Sequence, residues 1–240
     1  MAATPGPGTT PAVRVPPAPP RSLGPVARLT AAVAARATRG EPPRVFTTLG
    51  RHPRLFRRWL PFSAALLLRG ELARAERELV ILRTAWRCGS WYEWAQHAGL
   101  AQRAGLGVHD IARVVEGPAA PGWGPRQRLL LVATDELHDR RVITDRTWRT
   151  LAAELTERQL VELCLLVGHY EMLAMTLNSL GVEPEPTTLA RLGGAAAEAA
   201  DQLCGGLLAC RGEPPPRRGD ATRERPSSDQ GSKIRSSKTN

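Results

Sequence analysis

The feature that most constrains this chain of 240 residues is a long segment, TERQLVELCLLVGHYEMLAMTLNSLG, that is apolar on nearly every side. It begins with Thr156 and Gln159 in capping-box spacing and ends at Gly181, so both of its ends carry helix signals. Few polar residues interrupt it between Leu160 and Leu177, and a helix of that kind lies at the centre of a bundle or at an interface. We therefore expect other helices to cover it, and we expect a homo-oligomer.

Helix signals are equally dense in the segments before it. A proline-assisted start at Pro53 opens a helix that ends before Gly70, and no segment shows the two-residue alternation of a β-strand. The predicted class is all-α, a multi-helix bundle. Its further segments read RAERELVILRTAWR, SWYEWAQHAGLAQRAG, VHDIARVVEG, PRQRLLLVATDELHD and DRTWRTLAAEL.

Composition divides the chain into a helical domain and two tails. The ends are rich in Pro, Arg, Ser and Gly and lack the apolar residues that offset ordering entropy. Between residues 187 and 210, four glycines weaken a further predicted helix. The predicted parts are residues 1–42, a mostly disordered extension; 43–186, the domain; 187–210, an extra helix; and 211–240, a disordered basic tail.

Two expectations concern the N-terminal extension. Its first twenty residues contain no aromatic residue and are predicted to be disordered. Residues 22–39 show weak amphipathic periodicity, with Val26, Leu29 and Val33 on one side, which predicts a marginal helix.

The formal net charge of +10 lies mostly outside the predicted domain. Residues 46–210 carry 19 basic and 18 acidic side chains, so no basic face for nucleic acid is indicated. No window reaches the roughly 18 apolar residues of a membrane span, and the N-terminus has no basic start followed by an apolar run, so we expect neither secretion nor a membrane anchor. The cysteines contain no CxxC pair, which favours a reducing cytoplasm.

Chemistry-bearing side chains concentrate in the segment SWYEWAQH. Ser90, Glu93 and His97 are spaced three and four apart and share one helical face, which Trp94 adjoins. A carboxylate four residues before an imidazole can hydrogen-bond it and favour its protonated form. Glu78 lies on the preceding helix, and the short connection between the helices lets it face the same pocket.

A structural interpretation of the same residues stays open. Ser90 and Glu93 also have the spacing of a capping box that starts a helix, and Trp91 and Trp94 are of the type that fills cores. Local spacing does not decide between a cap and a catalytic site.

Several segments in order resemble the carboxymuconolactone decarboxylase and alkylhydroperoxidase D-like superfamily. The resemblance runs from about Phe46 to Glu185. It includes RERELVIL, the YEWxxH helix, the DELH helix and the closing LVGHYEMLAMTLNSLGV. It implies an all-α fold, homo-oligomers and a small-molecule substrate, with no metal and no cofactor.

The alkylhydroperoxidase D-like motif is a glutamate, then CxxC, then a histidine. Its positions correspond here to Glu78, Ser90, Glu93 and His97, so both redox cysteines are replaced and their disulfide cannot form. The resemblance therefore implies acid–base chemistry by Glu78, Glu93 and His97 on a small organic acid, lactone or quinone-like substrate.

Further side chains are predicted to complete the pocket, with two rival functions kept open. The first rival is a peroxiredoxin-type antioxidant that uses Cys88 with His97, since a thiol near a helix start is reactive when its pKa is depressed. The second is a non-enzymatic helical oligomer. Because the histidines show no recognised metal spacing, no metal is predicted. The predicted substrate-binding residues are Ser90, Trp91, Tyr92 as an oxygen-binding donor, Trp94, His138 and His169.

Overall fold

The computed structural model of the protein describes residues 12–38 and 40–211, and it confirms the all-α class. In these ranges the chain forms eleven α-helices and one short 3-10 helix, and no strand. The helices are α1 (Pro25–Thr38), α2 (Arg44–Leu49), α3 (Pro53–Arg69), α4 (Arg74–Arg87), α5 (Trp91–Arg103), α6 (Val108–Glu116), α7 (Pro125–Arg140), α8 (Asp145–Glu154), α9 (Glu157–Leu180), α10 (Pro186–Leu189) and α11 (Ala195–Cys210).

Helix α4 lies at the centre of the bundle. Every residue from Arg77 to Ala85 is buried, because α4 packs against α5, α6, α7 and α9. The connection to α5 turns at Gly89, whose φ of 60° is in the left-handed region that glycine adopts without steric cost. This tight turn returns α5 along α4 and sets their facing side chains within reach of one another.

Two apolar cores lie on either side of α4. One joins α4, α5, α6 and α11 and includes Trp94, Ile111 and Leu203. The other joins α4 with α7, α8 and α9 and includes Leu151 and Leu163. Since α4 belongs to both cores, its own position is held from all sides.

Only one face of helix α9 packs against the rest of the bundle. Val161, Leu165, Met172 and Met175 are exposed on its outer side. By length and composition α9 also passes the test for a membrane span, with a mean hydropathy of 1.5 over an 18-residue window, although Glu162, His169 and Glu171 interrupt its apolar run. Because 61% of that window is buried in the bundle, it is equally the composition of a core helix.

The N-terminal segment differs from its prediction where the structure describes it. Residues 1–11, predicted to be disordered, lie outside the described residues, as does the tail from 212 to 240. Residues 12–19, in contrast, lie against the bundle without helical structure, and the N–H groups of Arg14 and Val15 donate to the Leu180 carbonyl. Backbone hydrogen bonds, together with the burial of the small Ala18 side chain in one cluster with Phe56, supply contacts that composition did not reveal.

The predicted helix over residues 22–39 is present as α1, but its buried face is the opposite one. Val26, Leu29 and Val33 are exposed, whereas Ala27 and Ala31 are buried. Small alanine side chains let α1 approach α2 and α3 closely, and this packing outweighs the weak apolar periodicity of the larger residues.

The extra helix expected over residues 187–210 is present as α11, which starts only after Gly194. Its apolar face packs against α5 and α6. The indole N–H of Trp94 donates to the Ala196 carbonyl at 2.9 Å, which ties α11 to the helix that carries His97.

Candidate active site

A cavity of about 140 Å³ lies between α5 and α9 and is closed by residues of α2 and α3. Its wall is mainly apolar, and no Lys or Arg of the described chain lines it. The polar lining is Ser63, Tyr92, Glu93, Gln96, His97 and Tyr170. The apolar lining includes Val45, Phe46, Trp59, Leu67, Leu100, Leu173 and Leu177.

The His97 imidazole is held from both sides. Its Nδ1 lies 2.8 Å from Oε2 of Glu78 on α4, and its Nε2 lies 3.2 Å from the hydroxyl of Tyr170 on α9. Glu78 is only 2% exposed and sits behind the ring. The arrangement that satisfies both contacts places a proton on Nδ1, donated to the carboxylate, and leaves Nε2 as the acceptor of the Tyr170 hydroxyl proton.

Glu93 does not pair with His97, so the predicted partnership within α5 was wrong. The His97 ring turns instead toward α4 and α9, where Glu78 and Tyr170 satisfy both nitrogens. Neither carboxylate oxygen of Glu93 has a hydrogen-bond partner among the described residues. Burial raises the pKa of Glu93 to about 8, so this cavity-lining carboxyl is mainly protonated at neutral pH.

The capping-box interpretation of Ser90 and Glu93 is also wrong. Ser90 is the N-cap of α5, but its side chain makes no capping hydrogen bond, and its backbone N–H donates to the Ala85 carbonyl instead. The Ser90 hydroxyl lies close enough to lower the pKa of Glu93 slightly, without the geometry of a hydrogen bond in this part of the structure. Both side chains are thus buried without serving the helix end.

The aromatic residues of α5 are placed differently from one another. Trp91 and Trp94 belong to the core toward α11 and do not line the cavity. Tyr92 lines it, but its hydroxyl accepts from the Val45 N–H and donates to Glu185, each at 3.1 Å. The Tyr92 hydroxyl therefore fixes the cavity wall, and the predicted oxygen-binding role is not available to it.

His169 lies behind Tyr170 rather than in the cavity wall. It stacks on Trp59 with ring centroids 6.1 Å apart and meets Phe62 edge-on at 5.3 Å. Neither ring nitrogen has a partner in the described residues. Burial, with a smaller effect of His97, lowers the pKa of His169 to about 4, so this imidazole is neutral at physiological pH.

Cys88 and His138 lie together, away from the lining of the cavity. Cys88 Sγ is 3.7 Å from His138 Nδ1. Burial, with smaller effects of Glu171 and Glu93, raises the pKa of Cys88 to about 12, so the thiol is protonated at neutral pH. Asp135, three residues before His138 on α7, forms an ion pair with Arg83 and does not contact this group.

The model of the carboxymuconolactone decarboxylase family matches residues 53–136. This span contains α4 and α5 with Glu78 and His97, whereas the closing segment of the sequence resemblance, in α9, lies outside it. Over this span the match confirms the resemblance to the carboxymuconolactone decarboxylase and alkylhydroperoxidase D-like superfamily. No protein of curated function matches it in sequence.

Several solved structures share the fold at low identity. An alkylhydroperoxidase AhpD core, an uncharacterized peroxidase-related protein from Ralstonia eutropha JMP134, has a TM-score of 0.68 and 19% identity and covers 75% of this chain and 96% of its own. An uncharacterized peroxidase-related protein from Silicibacter sp. TM1040 has a TM-score of 0.66 and 14% identity, with 76% and 97% covered. The debrominase Bmp8, complexed with 2,3,4-tribromopyrrole, has a TM-score of 0.65 and 12% identity, with 81% and 100% covered.

Sequence reasoning missed several contributors to these sites, among them Gln96, Trp59 and Glu171. Gln96 and Trp59 line the cavity, and Glu171 contacts His138 across helices at 2.8 Å. Gln96 lies one residue before His97. Nothing in the local sequence marks it as a site residue, because its hydrogen bond to Glu185 joins segments far apart in the chain. The other two come from segments with no spacing relation to the SWYEWAQH motif.

Proposed function

We propose that this superfamily member is an enzyme that transfers protons on a small, mainly apolar substrate. One observation carries the proposal. His97 is held between Glu78 and Tyr170, and the buried Glu93 beside it has no hydrogen bond to either carboxylate oxygen among the described residues. An acid and a base kept in different environments within one cavity are what proton-transfer chemistry requires.

The base in this scheme is His97. Glu78 fixes the proton on Nδ1 and would stabilise the imidazolium that forms when Nε2 accepts a proton from the substrate. Tyr170, whose pKa burial raises well above its ordinary value, stays protonated and donates a hydrogen bond. On substrate binding its hydroxyl can turn from Nε2 to a substrate oxygen while Nε2 takes up the substrate proton.

The acid in this scheme is Glu93. With its pKa near 8, the carboxyl holds a proton at neutral pH and is close enough to that pH to release it and recover it. Burial, which removes hydration from the carboxylate, is the cause of this tuning. Ser90, buried beside it, is a positioning residue for the Glu93 side chain.

Size and charge narrow the substrate class. A cavity of about 140 Å³ is comparable to the roughly 150 Å³ cavity that admits benzene. Its lining lacks a cation to pair with a carboxylate group, which favours a lactone or quinone-like ring over a multiply charged organic acid. The complex of the similar debrominase with a tribromopyrrole supports a ring of this size.

The peroxiredoxin-type alternative finds less support. The four cysteines form no disulfide among the described residues, and Cys88 does not line the cavity with His97. The raised pKa of Cys88 also disfavours the thiolate that attacks a peroxide. Decarboxylation, lactone opening and isomerisation all remain within the acid–base proposal.

The test is a search for proton exchange by the full-length protein. Small lactones, quinols and enolisable ketones are incubated in deuterated buffer, and NMR follows deuterium uptake and product formation. We expect turnover of at least one class, and a fall of roughly 10²–10⁴-fold in His97→Gln and Glu93→Gln.

The matched control is His109→Gln, since His109 is an exposed histidine on α6. It should retain the wild-type rate. Equal loss in this control and in His97→Gln, or turnover that survives both cavity substitutions, would contradict the proposal.

A further inference from the structure

A second group of ligand-type side chains lies where the C-terminal ends of α4 and α7 meet the middle of α9. Cys88 is the C-cap of α4, His138 belongs to the last turn of α7, and Glu171 lies on α9. One donor atom from each lies within 4.8 Å of the others. We propose that these three side chains bind a divalent transition-metal ion of the Zn²⁺ type.

The donor set fits such an ion. A thiolate, an imidazole and a carboxylate are the three side-chain ligands that Zn²⁺ takes in proteins, whereas Mg²⁺ and Ca²⁺ prefer oxygen alone. The proposal therefore commits to a borderline-soft ion and not to a hard cation.

The distances fit as well. Zn–S and Zn–N bonds of about 2.3 and 2.0–2.1 Å at a tetrahedral angle require the sulfur and nitrogen to lie about 3.6 Å apart. Cys88 Sγ and His138 Nδ1 are 3.7 Å apart. Glu171 Oε1 lies 2.8 Å from the same nitrogen, where a shared ion requires about 3.3 Å, so a small rotation of the Glu171 side chain completes the set.

The geometry does not suit a cysteine–histidine–acid relay. In such a relay the thiol and the acid contact opposite ring nitrogens, so that a proton can pass between them. Here Cys88 and Glu171 both approach Nδ1 of His138. Convergence of three donors on one point is the arrangement of ligands around an ion.

The surroundings hold the ligands in place and leave them accessible. Arg141 pairs with Oε2 of Glu171, which leaves Oε1 to face the other two donors. The side-chain amide of Asn178 donates to the Cys88 carbonyl at 3.1 Å. Because the His138 side chain is 23% exposed, an ion can enter from solvent, and three protein ligands leave a fourth position for water.

This inference is independent of the proposed acid–base function, because none of the three ligands lines the His97 cavity. It replaces the expectation of no metal. Known metal-binding motifs place their ligands close together in sequence. Here Cys88 and His138 are 50 positions apart, and His138 and Glu171 are 33 positions apart.

The test uses untagged full-length protein stripped with a chelator and then titrated with Co²⁺ or Zn²⁺. We expect one ion bound per chain by elemental analysis, a thiolate-to-cobalt absorption band with Co²⁺, and a rise in melting temperature with Zn²⁺. Cys88→Ser should abolish the band and weaken binding more than tenfold.

The matched control is Cys164→Ser, which removes a half-buried thiol of α9 outside the group and should bind as the wild type does. Glu171→Gln is a second variant, and circular dichroism of each checks that it is folded. A wild-type protein that takes up neither ion, or a folded Cys88→Ser variant that binds as the wild type does, would overturn the proposal.

Discussion

The molecule contains two histidine–glutamate pairs with the same contact and different surroundings. In each pair a ring Nδ1 lies 2.8 Å from a carboxylate oxygen on another helix. The pair of His97 and Glu78 is enclosed and faces an apolar cavity. The pair of His138 and Glu171 lies near solvent with a thiol beside it. The contact itself therefore does not decide the chemistry.

The difference comes from what meets the other side of each pair. At His97 the second nitrogen meets the Tyr170 hydroxyl, and a protonated carboxyl lines the same cavity, which favours proton transfer. At Glu171 the second oxygen meets Arg141, and the thiol converges on the same nitrogen as the acid, which favours an ion. We therefore propose different roles for the two pairs on the basis of what surrounds each of them.

The largest expected effect is on catalysis at the enclosed pair. In Glu78→Gln the amide no longer stabilises an imidazolium, and its NH₂ group can reverse the tautomer of His97. We expect kcat/KM for the substrate class found by proton exchange to fall by roughly 10²–10⁴-fold. Glu76→Gln, on the same helix in an ion pair with Arg126, is the control, and a similar fall there would remove the distinction that we draw for Glu78.

The next effect concerns the pH dependence of stability. The folded-state pKa of Glu93 is raised from 4.5 to about 8. Between these values the folded protein keeps a proton that the unfolded chain has lost, so stability decreases as the pH rises through this window. We expect Glu93→Gln to be more stable than the wild type at pH 8, by on the order of a few kcal/mol.

Urea denaturation at pH 5 and pH 8 measures this effect. Glu157→Gln, an exposed carboxyl in the first turn of α9, is the control and should keep the wild-type dependence on pH. If Glu93→Gln kept it too, the buried carboxyl would be ionised in the folded protein and our acid would be misassigned.

The smallest expected effect is on the free energy of unfolding, which should differ between the two pairs because they differ in burial. In chelator-treated protein, Glu78→Ala leaves Nδ1 of the buried His97 unsatisfied, at a cost of about 1–3 kcal/mol in the free energy of unfolding. Glu171→Ala should cost under about 1 kcal/mol, because His138 and Arg141 can reach water. Equal losses in denaturant titrations would show that the pairs do not differ in burial as the structure indicates.

Prediction from sequence succeeded where the information is local or shared by the superfamily. Helix α3 starts at Pro53 and ends before Gly70, and α9 ends at Gly181, as the caps and breakers indicate. Glu78 and His97 were identified through the superfamily motif, and both meet in the site. Their functional roles stay predictions.

Prediction failed where side chains of different helices compete for one partner. The spacing of Glu93 and His97 permits a bond within α5, but Glu78 and Tyr170 occupy both ring nitrogens. Likewise Trp94 faces α11 because the Ala196 carbonyl and the core lie there. Which of several neighbours a residue contacts depends on helix rotation, and periodicity does not specify rotation.

By itself the sequence determined the helical class, the order of the main helices and the resemblance to a superfamily motif in which Ser90 and Glu93 stand at the positions of the two cysteines. Tertiary structure decided that Glu93 is an unpaired buried acid, that Tyr170 contacts His97, and that Cys88 meets His138 and Glu171. The physical reason is how far apart in the chain the interacting residues lie. Helix formation depends on residues within about four positions, whereas a site depends on how three or four helices shift and rotate against one another.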